Sequence, residues 1–387
     1  MSQRSGAIPT LLLALAPLTG CGDTVGPSSI TFSTQPANSL AGEQISPAVE
    51  VTVRDALGDP VAGTVAIALD PNPCNWRLSG TLVAELVGGV ARFADLSLDK
   101  IGRGYTLRTS LGSLSAVSRP FAITSPITNH PLVHDDVLCT KPNMQADGES
   151  LTWVPEDDAF WIGDDNRDGI YQVDRGTGAT LSAIGRSDFL TALPDAGVCD
   201  DGDGNPNTTC SYINEFEQVA YDPIGGLLYV MNTINTSADR PAIFRLRKGT
   251  CTGCFTIEAW QPLPLGPSYG TLGTADGDLL ISIGNGIYVY DYETNQVPNE
   301  DEDGSPLPPL YSTPSVIVGL GYDGSSMWIL TQQRLVYEVR WATKTQLAQY
   351  DLGPFSLATP RGIETISDTI YVLEGDVPNP INVFTIR

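Results

Sequence analysis

The sequence reads as an all-β protein, a β-sandwich followed by a β-propeller of about five blades with room for a sixth. Three observations carry that reading. Short alternating apolar segments bounded by turn residues recur between residues 27 and 126, where no helical 3.6-residue period is visible. Beyond residue 127 a pair of apolar segments returns five times, at a spacing that settles near that of propeller blades, ~40–50 residues. Finally, 39 Gly and 29 Pro supply many turns without reaching the level of a disordered chain, and 41% hydrophobic residues allow a substantial core.

Residues 1–20 form a leader. Arg4 precedes an apolar run from Ile8 to Leu18 (IPTLLLALAPL), too short for the ~20 residues of a membrane span and suited to a signal-peptide core. The run ends in Leu18-Thr19-Gly20-Cys21, which resembles the lipobox of bacterial lipoproteins. That resemblance implies cleavage before Cys21, acylation of its thiol and attachment to the cell envelope. Gly22 stands where inner-membrane lipoproteins commonly carry Asp, which points to the outer membrane. Several acyl chains anchor stably, unlike one. Residues 21–28 then serve as a tether.

The sandwich is expected over residues 29–126. Its segments are Val49 to Val53, Val61 to Leu69, Gly89 to Leu96, Tyr105 to Thr109 and Phe121 to Ile123, separated by turns such as Gly58-Asp59-Pro60 and Gly102-Arg103-Gly104. Gln35-Pro36, Asp55-Ala56-Leu57-Gly58-Asp59-Pro60-Val61, Gly89-Val90-Ala91-Arg92-Phe93 and Ser118-Arg119-Pro120-Phe121 resemble bacterial Ig-like domains. By that resemblance the segment is a stalk or adhesive module, and it brings no ligand residue.

The propeller is expected over residues 127–387. Phe160-Trp161-Ile162, Leu228-Tyr229-Val230, Leu279-Leu280-Ile281, Met327-Trp328-Ile329 and Ile370-Tyr371-Val372 each precede a second strand. These second strands start at Ile170, Ile243, Ile287, Val336 and Ile381, so the intervals are 73, 44, 49 and 45 residues. The long first interval holds an acidic insertion, residues 188–215. The chain ends before the last unit can add an outer strand, so His130 to Leu138, upstream of the first unit, is expected to close the ring. The rhythm resembles quinoprotein, YVTN and NHL-type propellers, a resemblance that implies architecture and not activity.

Charge limits the partners. Against 45 acids stand 21 Lys and Arg, a net −24, which argues against nucleic acid and against electrostatic docking on an anionic bilayer. Seventeen acids and four bases fall between residues 127 and 215. Asp164-x-Asn166-x-Asp168-Gly169 and Asp201-x-Asp203-x-Asn205 place oxygen ligands at alternate positions, as calcium loops do, and Asn299-x-Asp301-x-Asp303-Gly304 is a third. Calcium is therefore the candidate cofactor. Arg175 stands at position 12 of the first loop, so these are not EF-hands.

Apart from Cys21, six cysteines remain, an even number for an exported chain. Cys199 and Cys210 bracket the acidic insertion, Cys251 and Cys254 staple a hairpin tip, and Cys74 with Cys139 would lock sandwich to propeller. The alternative is one metal held by Cys199, Cys210, Cys251 and Cys254.

Catalytic templates find little footing. Gly266-Pro267-Ser268-Tyr269-Gly270 spells a nucleophile elbow without its strand–turn–helix context, and the two histidines, His130 and His134, lie upstream of it. The leading expectation is a lipid-anchored envelope protein presenting a propeller to a protein or glycan, with Trp341 and Tyr311 as exposed contact aromatics. The alternatives are a divalent-cation-dependent propeller hydrolase or lactonase using Glu217 and Glu364, as gluconolactonase-type propellers hold their cation, and a structural spacer.

Overall fold

A computed structural model describes residues 25–387 except 73, 128, 141–146, 166–168, 198, 201–205, 208–210, 214, 233–240, 264–268, 297–306 and 376–379. The first unit is a sandwich. Pro27–Thr34, Val49–Asp55 and Val90–Phe93 form one antiparallel sheet, and Leu114–Val117, Leu107–Leu111, Thr64–Leu69 and Val83–Glu85 form the facing one. Alternation decides which side chains turn inward: Val49, Val51 and Val53 meet Val65, Ile67, Phe93 and Leu107 in one core. Burying each contributes roughly 1.5–3 kcal/mol. The segment expected as one strand from Tyr105 to Thr109 is two. Gly102–Tyr105 pairs with Phe121–Thr124, whereas Leu107–Leu111 pairs with Thr64–Leu69. Thr106 marks the break and hydrogen-bonds through Oγ1 to the Asp70 carbonyl.

The second unit is a five-bladed propeller of four-stranded antiparallel sheets, counted among the described residues. Blade 1 comprises Gly148–Val154, Ala159–Asp164, Gly169–Asp174 and Thr180–Gly185; blade 2, Phe216–Asp222, Leu227–Asn232, Ala242–Lys248 and Phe255–Pro262. Blade 3 comprises Tyr269–Ala275, Asp278–Ile283, Gly286–Tyr290 and Tyr311–Ser312; blade 4, Ile317–Tyr322, Ser326–Thr331, Leu335–Arg340 and Thr345–Asp351. Blade 5 takes Pro360–Ile366, Thr369–Glu374 and Ile381–Ile386 from the C-terminus. Its outer strand, Leu132–Leu138, comes from upstream, with Leu132 opposite Ile386 and Leu138 opposite Ile381. The first-named strand of each blade is innermost, and each packs on the next around a closed ring.

In each apolar pair expected from sequence, the first segment is the second strand of a blade and the segment that follows it is the third. Buried on both faces, Phe160, Trp161 and Ile162 of blade 1 are each 0% exposed, which is why they read as continuous rather than alternating apolar runs. The insertion after blade 1 is more than a charged loop. It contains the α-helix Arg186–Ala192, where the Asp188 carboxylate accepts the Gly185 N–H at 2.9 Å. The helix drives Phe189 into the blade core against Phe216 and Phe244, with ring centroids 4.3 and 5.3 Å away. Trp341, expected on the surface, is instead buried in the core between blades 3 and 4, with Lys344 Nζ 3.6 Å from its ring centroid. Tyr311 is half-buried.

Cys74 and Cys139 are disulfide-bonded, with Cα atoms 5.8 Å apart, and tie the sandwich to the residue that follows the closing strand. Arg103 adds an ion pair to Asp135 (3.2 Å) and a backbone N–H bond to Asp136 (3.3 Å). Cys251 and Cys254 are also bonded. Their hairpin tip docks on blade 1: the Gly253 N–H donates to Asp157 Oδ2 at 2.9 Å. Gly253 has φ +70°, a left-handed conformation that favours glycine, and a Cβ there would push on the end of the Gln172 side chain.

Candidate functional site

Five inner strands line the central channel, and their crowding is relieved by glycine. A Cβ on Gly362 would stand 2.7 Å from Leu151 N, and one on Gly321 would stand 2.9 Å from Ile363 O. The strands run in the same sense, so their N-terminal ends gather at one mouth and their C-terminal ends at the other.

At the first mouth, carboxylate oxygens of Asp147, Glu149 and Asp165 lie within 4.8 Å of one another. Glu149 is 8% exposed and pairs with Arg361 (Nη1 to Oε2, 3.2 Å). Burial pushes its carboxyl up to about 8; Asp147, Glu217 and Asp165 act in the same direction, against Arg361. Oxygen ligands this close suit a hard divalent cation. Asp165 belongs to the first loop singled out in sequence, and among the described residues its partners come from the start of the inner strand. Asp164 is fully buried at the end of its strand. Asn166 and Asp168 lie outside the described residues, as do Asp201, Asp203, Asn205, the Asn299 to Gly304 loop, Cys21 and Cys210. For Cys199 the backbone is described, paired opposite Asn207.

At the second mouth the channel opens into a cavity of about 710 Å³ walled by all five blades. Trp153 and Tyr322 supply aromatic surface, Tyr221 turns into the core against Phe255, and the exposed Ile224 stands at the rim. Asp222, Asp276, Asp323, Glu364 and Asp368 supply carboxyl groups, and among the described residues the lining contains no Lys, Arg or His. Turn geometry explains most of these positions. Each inner strand ends in a tight hairpin, where aspartate accepts the free backbone N–H groups: Asp222 accepts from Ile224 and Gly225 (2.9 and 2.8 Å), and Asp323 from Ser325 and Ser326 (2.8 and 2.7 Å). Tyr322 donates its hydroxyl to Asp276 at 2.7 Å. Glu364 accepts the N–H groups of Thr365 (2.9 Å) and Trp153 (3.0 Å), yet its burial prevails and pushes the carboxyl up to about 8. Near neutral pH it is mostly protonated.

Glu217 and Glu364 are not brought together as ligands of one cation. Glu217 sits near the start of its strand, where its carbonyl accepts the Ser150 hydroxyl; Glu364 sits farther along its own, beside Trp153 and the cavity. Both histidines lie on or beside the closing strand, away from the cavity. His134 stacks on Phe384 at 4.6 Å, and burial lowers its pKa to about 4. The last two residues of the elbow-like motif, Tyr269 and Gly270, already belong to the strand Tyr269–Ala275.

No protein-family model matches the chain, and no curated protein matches it in sequence. Among solved structures it is similar to the glutaminyl cyclase of Myxococcus xanthus, at 13% identity over 66% of this chain and 97% of that one, with a TM-score of 0.43. Two glucose dehydrogenases are similar at 12% identity over 64% of this chain, spanning 98% and 99% of theirs, with TM-scores of 0.41 and 0.40.

Proposed function

We propose that this is a binding protein of the bacterial cell envelope, anchored through lipid on Cys21, in which the Ig-like module holds a propeller that receives its ligand at the second channel mouth. The observation that carries this reading is the cavity of about 710 Å³, within the ~300–1,000 Å³ of small-ligand sites and built from residues of every blade. A spacer has no need of such a chamber. Apolar and aromatic walls with a few fixed polar groups favour holding a molecule, and the Cys74–Cys139 bond favours a module that positions the propeller rigidly. The expected larger partner, a protein or a glycan, would present the part that enters.

The test is a binding screen of the full chain against glycans, amines, organic acids and lactones, with turnover followed in parallel. Saturable binding without turnover, lost when Thr274→Trp fills the chamber, is the expected result. Turnover that survives in this variant would overturn it. Cys21→Ser should release the protein from the membrane fraction.

The Asp147, Glu149 and Asp165 cluster favours a second reading, a calcium-dependent hydrolase working at the first mouth. There the three carboxylates would hold the ion, which would polarise a carbonyl or phosphoryl oxygen. Chelator-sensitive, calcium-restored hydrolysis of lactones or phosphoesters, abolished by Asp147→Asn with Asp165→Asn, would establish it.

A further inference from the structure

We propose that the ligand of the second-mouth cavity is an organic cation, an ammonium group carried on an apolar body; this rests on the reading that the cavity is the binding site. Four blades contribute aspartates to its wall, Asp222, Asp276, Asp323 and Asp368, and among the described residues the lining holds no basic group. Charge of one sign in a low-dielectric cleft focuses its field into the opening and concentrates ions of opposite sign. An anion would meet that field with nothing to neutralise it.

Two further features select the kind of cation. The carboxylates are spread around the wall, and among the described residues the one group of three close enough to hold a metal ion is at the opposite mouth. Calcium gathers six to eight oxygens at ~2.3–2.6 Å around one point, whereas a diffuse charge on a larger molecule does not need such convergence. Among the described residues blade 1 gives no carboxyl group to the lining but presents Trp153, joined by Tyr322 from blade 4. Aromatic faces attract ammonium groups, most strongly when water is displaced, and offer apolar area for an alkyl body. Within the same wall, the Thr365 hydroxyl is buried and has no hydrogen-bond partner among the described residues. A ligand N–H or hydroxyl would satisfy it.

The test is calorimetric titration of the full chain with choline, spermidine and 3,3-dimethylbutan-1-ol, the uncharged analogue of choline, together with glucose and citrate. At least one cation should bind saturably, ten times or more tighter than the uncharged analogue, and weaken as salt rises. Asp276→Asn with Asp368→Asn should weaken it tenfold without lowering Tm, whereas Asp351→Asn, outside the cavity, should change nothing. Equal binding of the uncharged analogue, or cation binding unaltered in the double variant, overturns the proposal, as does no cation binding at all. Glucose or citrate binding that Thr274→Trp abolishes would remove the charge assignment alone. Silence from every probe would count against the cavity as a binding site as well.

Discussion

Replacing Asp157 by alanine should be among the most damaging single changes in the propeller. Asp157 ends the turn after the inner strand of blade 1, and its side chain is 1% exposed. Oδ1 pairs with Lys248 Nζ at 3.0 Å, and Oδ2 accepts the Gly253 N–H at 2.9 Å and Gln172 Nε2 at 3.3 Å. Lys248 belongs to blade 2, and its side chain is 9% exposed. The alanine variant leaves an ammonium buried without its counter-charge, at a cost of about 3–5 kcal/mol. The orphaned Gly253 N–H pushes toward the top of that range. Lys248 keeps the carbonyls of Gly249 and Cys251 at 3.2 and 2.8 Å, which pushes toward the bottom. A net ~4 kcal/mol corresponds to a fall in Tm of roughly 8–16 °C at the ~2–4 °C per kcal/mol of large domains. Urea unfolding followed by tryptophan fluorescence measures it as a shift in midpoint at constant slope. Lys248→Met in the Asp157→Ala background should recover most of the loss, because removing both charges spares the desolvation cost. A loss below 1 kcal/mol for Asp157→Ala, or strict additivity in the double variant, would refute the idea that this pair clamps the two blades.

Glu364→Gln tests the buried carboxyl. A folded pKa of about 8 against an unfolded value near 4.5 gives stability that is fully present below pH 4.5 and lost as pH rises toward 8. The wild type should therefore lose more stability than the variant between pH 5 and 8, and parallel curves would show that Glu364 ionises normally. Cys74→Ser with Cys139→Ser opens a cross-link of sequence separation 65, worth roughly 4 kcal/mol by loop entropy. Scanning calorimetry should then resolve sandwich and propeller as two transitions, whereas an unchanged single transition would show that noncovalent contacts couple them. Deleting Pro131 to Val137 strips blade 5 of its outer strand and bares the edge of Ile381–Ile386; the protein should aggregate or lose its cooperative melt, and a wild-type melt would mean that the ring does not need this closure.

The architecture was legible because it repeats. The apolar segments Leu228-Tyr229-Val230 and Met327-Trp328-Ile329 are doubly buried second strands, a constraint that leaves a run of apolar residues wherever a blade forms. Asp147 and Glu149 were not legible as partners of Asp165: a turn and most of two strands separate them in sequence, and the register that sets Gly148 opposite Asp164, with a bulge at Glu149, brings their oxygens together. Asp222, Asp276 and Asp323 carry a weak signal, since each stands where an inner strand ends, but in one unit alone such an aspartate reads as a turn residue. The ring of acids emerges when the five units are superposed. Phe189 was missed because its helix has seven residues, two turns, too few for a 3.6-residue period to register. Trp341, one residue beyond its strand, read as exposed because burial there comes from the neighbouring blade and the Lys344 side chain rather than from its own segment.

Under the proposed attachment at the N-terminal end, the disulfide between Cys74 and Cys139 has a mechanical consequence. A pull applied ahead of the sandwich travels along the backbone to Cys74 and crosses the sulfur bridge directly to Cys139. Residues 75–138 lie on the slack side of that covalent bypass and bear no tension, and they include Leu132–Leu138, the strand that closes the ring. Without the bridge, the same pull would act on that strand and drag it from its neighbour in blade 5. The load instead enters the propeller one residue after the closing strand ends, so the ring is shielded from the force that its own attachment would impose.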